Sequence, residues 1–152
     1  MLTVQQVLDS KTKPFNTISP ETLVIDALNL MNSINLSYLV VMDEYGYRGI
    51  FSERDYSRNV ILKGRASNST KVEEVMTTDL PIVSTYNSVE QCMHLMNSAK
   101  TRYLLAYDTD EEFAGVITIH DLLRAVINSR EDVFDKDAAH MLIDYEEGGK
   151  VY

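Results

Sequence analysis

Apolar residues in the first half of the chain recur at the three- and four-residue spacing of a buried helix face. Within residues 1–10 this spacing predicts a short amphipathic helix. The segment 19–22 (SPET) has the composition of a helix start. Behind it, i, i+3, i+4 and i+7 spacing is kept at Val24, Ala27, Leu28 and Met31. A second helix with one buried face is therefore predicted after residue 22.

Compact β-prone runs predict short strands between these helices. Residues 15–18 form a brief run, and residues 38–42 and 47–51 flank the turn signal DEYG at 43–46, which predicts a hairpin. Ser52 then starts a helix that is expected to run to about Lys63, with Gly64 as its C-terminal stop. The polar residues that follow, up to Lys71, are interpreted as a linker.

The same order of elements recurs after this linker. Residues 72–76 match the opening helix, and residues 82–84 match residues 17–19. Residues 95–98 repeat residues 30–33 letter for letter, 65 positions later. Self-similarity over this length indicates a tandem duplication.

In the second copy, Ser88 and Gln91 predict a capping box at the start of the matching helix. The buried face predicted for that helix consists of Val89, Cys92, Met93 and Met96. Neither copy, at roughly 65 residues, would bury much apolar surface alone. We therefore predict an α+β fold in which two small sheets with flanking helices pack pseudo-symmetrically. The expected boundaries are 1–66 for the first repeat, 67–130 for the second and 131–152 for an acidic C-terminal helix and tail.

Both copies carry the same junction between a strand and a helix. Residues 49–55 (GIFSERD) and 115–121 (GVITIHD) each end a strand on a hydroxyl residue, with an aspartate three positions later. Backbone N–H groups and the positive end of the helix dipole beside Ser52 or Thr118 can hold a phosphate. The two carboxylates would repel a phosphate, so a group that carries hydroxyls, such as a ribose diol, is their natural target.

Asp55 and Asp121 also have a purely structural interpretation. A serine or threonine followed three residues later by an acidic residue is an N-terminal capping box, and an isolated copy would favour that interpretation. The repetition of the whole surrounding unit favours two related nucleotide sites instead.

Composition excludes several classes of function. The net charge of −9 argues against general nucleic-acid binding and against docking to anionic membranes. No apolar run approaches transmembrane length, and the N-terminal residues lack the pattern of a signal peptide, so a cytoplasmic location is expected. Because Cys92 is the only cysteine, an intrachain disulfide is impossible. No metal-site or catalytic motif is recognised, so neither a metal nor a catalytic cofactor is expected.

These features resemble the cystathionine-beta-synthase (CBS) domain family, arranged as the tandem pair called a Bateman module. The resemblance covers nearly all of residues 2–130. The segments that carry it are 17–21, the helix ending near Met31, 39–41 and 49–55 in the first copy, and 83–84, the helix ending near Met96, 103–104 and 115–121 in the second.

The resemblance implies clefts between the two repeats that bind an adenosine-containing ligand, with AMP, ADP or ATP as a regulatory ligand. By position, Asp55 and Asp121 would hold ribose hydroxyls, while Ser52 and Thr118 would meet phosphate. The remaining family positions would line the adenine pockets or lie near the ligand; they are the backbone around Ser37-Tyr38 and Arg102-Tyr103, the apolar walls Ile50 and Val116, and the early-strand residues Thr17 and Ile82. Ile82 has lost the hydroxyl that Thr17 keeps.

The two copies differ in charge. Residues 48–71 contain six basic and two acidic residues, whereas residues 114–137 contain three basic and five acidic ones. A polyphosphate should therefore prefer the site around the first repeat's basic segment. Arg54 can make forked phosphate contacts, whereas its counterpart His120 cannot. We predict two unequal nucleotide sites.

The predicted function is thus that of a nucleotide-sensing regulatory module rather than an enzyme. The family resemblance implies a homodimer and allows an unidentified regulated protein as a partner. An interaction scaffold with vestigial pockets, and a sensor of NAD or S-adenosylmethionine, remain alternatives.

Overall fold

The computed structural model describes residues 1–12 and 15–129, which divide into two compact units. One, the 15–79 unit, contains residues 15–79, and the other, the 80–129 unit, joins the N-terminal residues 1–12 to residues 80–129.

In chain order the elements are α1 (Val4–Ser10), β1 (Thr17–Ile18), α2 (Val24–Ile34), β2 (Tyr38–Asp43), β3 (Gly46–Ser52), α3 (Glu53–Asp55) continued by a π-helix (Tyr56–Ile61), a 3-10 turn (Val72–Glu74), β4 (Ile82–Ser84), α4 (Val89–Ala99), β5 (Tyr103–Tyr107), β6 (Phe113–Thr118) and α5 (Ile119–Ser129). The tail predicted from residue 131 lies outside the described residues.

Each unit contains a three-stranded sheet of the same topology. The strand orders are β1-β2-β3 and β4-β5-β6, with the first pair of each sheet parallel and the second pair antiparallel. One face of each sheet packs against helices, burying Leu39, Val41 and Phe51 in the 15–79 unit and Leu104, Ala106 and Ile117 in the 80–129 unit. The predicted α+β class, with a small sheet and flanking helices in each repeat, is confirmed.

The opening segment of each sequence repeat packs in the unit that holds the other repeat's sheet. Val4, Val7 and Leu8 of α1 are buried in the core of the 80–129 unit. Val72 and Val75, from the start of the second copy, are buried in the core of the 15–79 unit. The compact units in space therefore have boundaries that differ from those predicted for the sequence repeats, and the break at residue 66 stays a prediction about the repeats.

The two long helices begin in different ways. Ser88 caps α4, because its hydroxyl oxygen accepts a hydrogen bond from the Gln91 N–H at 3.1 Å, and the reciprocal bond completes the predicted capping box. In the first copy Leu23 holds the cap position and offers no side-chain acceptor. The first N–H of α2 instead donates to the Thr70 carbonyl oxygen at 2.8 Å. The predicted linker thus satisfies the start of α2, while residues 19–22 form a turn ahead of it.

We expect Ser88→Ala to lower the free energy of unfolding by about 1 kcal/mol, because the first turn of α4 loses its side-chain acceptor. The matched change Ser19→Ala removes an exposed hydroxyl that caps no helix and should alter stability by less than about 0.5 kcal/mol. Urea unfolding followed by circular dichroism measures both. Equal effects of the two substitutions would contradict the capping role of Ser88.

Three sequence-based expectations are corrected. The helix predicted to reach Lys63 ends at Ile61 and contains a π-helical segment, and the helix predicted at residues 72–76 is a single 3-10 turn. Met93, which we predicted to be buried, is 41% exposed because it lies at the edge of the α4 face centred on Cys92 and Met96.

Burial raises the pKa of the Cys92 thiol to about 11, so this side chain stays protonated at neutral pH as an apolar core residue.

Candidate functional site

Asp55 lies at the junction where β3 ends and α3 begins. Its backbone N–H donates to Ser52 Oγ at 3.3 Å, and its Oδ2 accepts the Ser52 N–H at 2.9 Å and the Ser52 hydroxyl at 3.0 Å. These bonds form a complete capping box, and the structural interpretation of this motif is confirmed. Asp55 is buried at 5% exposure, although a carboxylate is costly to bury without partners.

The other oxygen of Asp55 has a partner that the sequence did not reveal. The Thr77 hydroxyl donates to Oδ1 at 2.6 Å. Thr77 is held there because its backbone exchanges two hydrogen bonds with Ile50, at 2.8 and 2.9 Å. Gly49 makes this close approach possible, since a Cβ atom at that position would lie 2.8 Å from Met76 Sδ and 2.9 Å from the Thr77 carbonyl oxygen.

Asp121 occupies the same junction between β6 and α5. Its N–H donates to Thr118 Oγ1 at 3.1 Å, and its Oδ2 accepts the Thr118 N–H at 2.9 Å. Oδ2 also accepts the Lys11 ammonium at 2.9 Å, and the same ammonium donates to the Val116 carbonyl oxygen at 3.2 Å. The Arg124 guanidinium lies 3.6 Å from Oδ1. Two cations therefore share a carboxylate that is 1% exposed.

Asp121 Oδ1 keeps its capacity to accept hydrogen bonds. It is buried, and within the described part of the chain no donor makes a hydrogen bond to it. Asp121 and Arg124 also line a cavity of about 180 Å³ between α1 and α5. The remaining residues that line it are Leu2, Gln6, Val7, Ser10, Ala125 and Asn128.

The predicted site residues that lie on strands share one face of each sheet. Thr17 pairs with Val40, Val40 with Ile50, and Tyr38 with Ser52. Because side chains alternate along a strand, these five residues share a face, opposite to the one that packs on the helices of the 15–79 unit.

The 80–129 unit repeats this arrangement. Ile82 pairs with Leu105, which pairs with Val116, while Tyr103 pairs with Thr118. In both units, then, the predicted adenine-lining and phosphate-contacting strand residues are brought onto one surface that ends at the buried aspartate. Tyr38, Ile50 and Val116 are buried, Tyr103 is half-buried, and Thr17 and Ile82 are exposed.

The four other predicted residues lie at the edges of these faces. The Ser37 carbonyl oxygen accepts the Glu53 N–H at 3.0 Å, and the Arg102 carbonyl oxygen accepts the Ile119 N–H at 2.9 Å, so each joins the start of a strand to the start of a helix. Arg54 is exposed and His120 is half-buried. Neither is among the partners that the structure gives to Asp55 or Asp121 through hydrogen bonds or ion pairs.

Two other features, a metal-binding cluster and a membrane-spanning helix, are absent from the described residues. Residues 1–12 and 15–129 hold no group of three His, Cys, Asp or Glu side chains placed to bind a metal ion. No helix in these same ranges has the length and apolarity that crossing a bilayer requires.

Comparison with known proteins explains the repeated junction. The sequence profile of the CBS domain matches the chain twice, at residues 4–61 and 72–128. The chain belongs to the CBS domain family. The CBS domain-containing protein CBSX3, mitochondrial, of Arabidopsis thaliana is 30% identical over 148 residues, which cover 91% of this chain and 71% of the relative.

Solved structures of CBS proteins have the same fold. A protein with CBS domains from Burkholderia ambifaria MC40-6 superposes with a TM-score of 0.77 at 34% identity, over 88% of this chain and 98% of that one. CBSX2, whose crystal structure contains AMP, superposes with a TM-score of 0.69 at 23% identity, over 86% of this chain and 99% of that one. At that identity, the second likeness concerns the fold alone.

Proposed function

We propose that this CBS-domain protein is a regulatory module that binds an adenine nucleotide, AMP, ADP or ATP, and that Asp55 and Asp121 accept hydrogen bonds from ribose hydroxyls. The observation that carries the proposal is the arrangement found in both units. A row of buried and half-buried strand residues faces away from the helix-packed core and ends at a buried carboxylate beside a hydroxyl and a helix N-terminus.

The roles of the remaining residues follow from this arrangement. Ile50 and Val116 would contact the adenine ring together with the backbone at Ser37-Tyr38 and Arg102-Tyr103, and Thr17 and Ile82 would lie beside it. Ser52 and Thr118 would meet the phosphate with the first N–H groups of the helices, and Arg54 and His120 flank that position.

Two further points support an adenine nucleotide and a regulatory role. A protein of this fold, CBSX2, has been crystallised with AMP. Ligand binding at a junction that already carries an internal hydrogen-bond network can favour one packing of the chain over another, which is a population shift rather than a chemical reaction. The regulated partner is proposed to be another protein. The cytoplasmic location stays a prediction, since the name of one relative places it in mitochondria.

Asp55→Asn tests the site while keeping the fold. Asparagine retains an acceptor for the capping bonds but loses the charge that strengthens a ribose hydrogen bond, so the affinity of the Asp55 site for AMP should fall about tenfold or more. Isothermal titration of the full chain measures this. Asp43→Asn, in the same unit and in an ion pair of 2.8 Å with Arg48, is the matched control and should leave AMP binding unchanged.

A thermal-shift panel decides between this function and an interaction scaffold. Any adenosine ligand that binds the native state raises the melting temperature by mass action. If AMP, ADP, ATP, NAD and S-adenosylmethionine at millimolar concentration all leave the melting temperature unchanged, the chain is a scaffold. If NAD or S-adenosylmethionine alone raises the melting temperature, the assignment of AMP, ADP or ATP as the ligand is wrong.

A homodimer is part of the proposal. Met93 on α4 and Leu123 on α5 are 41% and 43% exposed, and the two helices pack against each other in the 80–129 unit. Exposed apolar side chains on two helices that pack together favour association with a second copy. Light scattering after size exclusion should give twice the chain mass, and Leu123→Glu should shift the protein toward the monomer.

A further inference from the structure

Lys11 and Thr77 make corresponding contacts in the two units but act through different chemistry. Thr77 contributes a backbone N–H to the Ile50 carbonyl oxygen and a hydroxyl to Asp55. Lys11 makes both contacts with one ammonium group, to the Val116 carbonyl oxygen and to Asp121.

This replacement changes the charge around each carboxylate. The hydrogen-bond donors that reach Asp55 come from Ser52 and Thr77, which are neutral, and no ion pair to Asp55 forms within the described residues. Asp121 is contacted by two cations, Lys11 at 2.9 Å and Arg124 at 3.6 Å. Among these partners, then, Asp121 has the positive charge of Lys11 in direct contact, whereas Asp55 has only neutral donors.

We propose that Lys11 is a specificity-determining residue, which makes the site at Asp121 prefer a phosphorylated nucleoside over the free nucleoside. This inference rests on the proposed function. Because Lys11 and the Thr118 N–H occupy Oδ2, a ribose hydroxyl is accepted by Oδ1, which has no hydrogen bond within the described residues. The positive charge of Lys11 beside that ribose then favours a ligand that carries phosphate.

The flexibility of the lysine side chain allows it to serve both groups. Its ammonium is a compact charge with three donors on a four-carbon stem, so it can turn toward a phosphate while it stays beside Asp121. Thr77 carries no charge and is fixed by its backbone bonds to Ile50, so it cannot turn toward a phosphate in the same way.

The test compares AMP with adenosine by isothermal titration of the full chain. Asp55→Asn is used as the background, so that the site at Asp121 dominates. In that background we expect AMP to bind about tenfold more tightly than adenosine, which corresponds to one favourable charge contact. Adding Lys11→Met should bring the two affinities within about twofold of each other, and Lys11→Arg should preserve the preference. Lys63→Met, an exposed lysine of the other unit, is the control and should preserve it as well.

Each outcome has a distinct meaning. If AMP and adenosine still bind with a tenfold difference after Lys11→Met, Lys11 does not set the preference, although the proposed function stands. If neither ligand binds the wild-type chain, the proposed function itself fails. If the Lys11→Met variant does not fold, the same two affinities are measured in the Asp55→Asn background at 50 and at 500 mM NaCl. At the higher salt concentration the affinity for AMP must fall while the affinity for adenosine stays the same. If the two affinities change by the same factor, the inference is overturned.

Discussion

Asp121→Ala is expected to lower the free energy of unfolding by about 4 kcal/mol. The substitution leaves the Lys11 ammonium, whose side chain is 13% exposed, without its counter-charge, and breaking such a pair costs about 3–5 kcal/mol. It also removes the capping bond to the Thr118 N–H, which contributes about 1 kcal/mol of helix stability. Urea unfolding of the full chain, followed by circular dichroism, measures the loss.

The matched control for this prediction is Asp55→Ala. Asp55 has the same capping box, but its partners Ser52 and Thr77 are neutral, so its removal strands no charge. We expect a loss of about 2 kcal/mol, mainly from hydrogen-bond donors left without acceptors. Equal losses at the two positions would show that the ion pair with Lys11 contributes little. A double-mutant cycle of Lys11→Met with Asp121→Ala isolates the coupling between the two side chains.

Gly49→Val should destabilise the 15–79 unit by about 3 kcal/mol, because even the first added carbon would clash with the segment that contains Thr77. The nearest atoms, Met76 Sδ at 2.8 Å and the Thr77 carbonyl oxygen at 2.9 Å, belong to a segment tied to β3 by backbone bonds. The displaced Thr77 would no longer donate to Asp55. Hydrogen exchange should then show lost protection at the Ile50 and Thr77 amides.

Arg48→Ala serves as the control for the glycine substitution. Arg48 is the neighbouring residue, is exposed and forms a surface ion pair with Asp43, which contributes at most about 1 kcal/mol. Protection of the Ile50 and Thr77 amides should be unchanged in this variant. If Gly49→Val retains full protection there, the close approach of the two segments is not a feature of the native state.

Local patterns predicted the repeated elements well. The strand at 38–42 and the cap at Ser88 depend on neighbouring residues, so their signals lie within a short window of sequence. The shared sheet face also follows from strand alternation once the register is given. The start of α2 was harder, because its N–H groups are satisfied by carbonyl oxygens of residues 67 and 70 rather than by a nearby side chain.

Local patterns could not predict that the opening segment of each repeat packs in the unit that holds the other repeat's sheet. The apolar positions of α1 specify a buried face but not the sheet that buries it. Lys11 was missed for the same reason, since its carboxylate partner is 110 residues away and a lysine among polar residues carries no periodic signal. Residue 11 lies outside both segments whose charge was compared, 48–71 and 114–137, so that comparison could not include its charge. Gly49 was the one available signal for Thr77, because a glycine within a strand indicates a close backbone approach.

A crystal structure of the full chain grown with AMP tests the central claim most directly. Ribose hydroxyl oxygens should lie within hydrogen-bond distance of Asp55 or Asp121 carboxylate oxygens, with the adenine against Ile50 or Val116 and the phosphate toward Ser52 or Thr118. AMP bound away from both carboxylates, or absent at a concentration that saturates binding in solution, would contradict the proposed site.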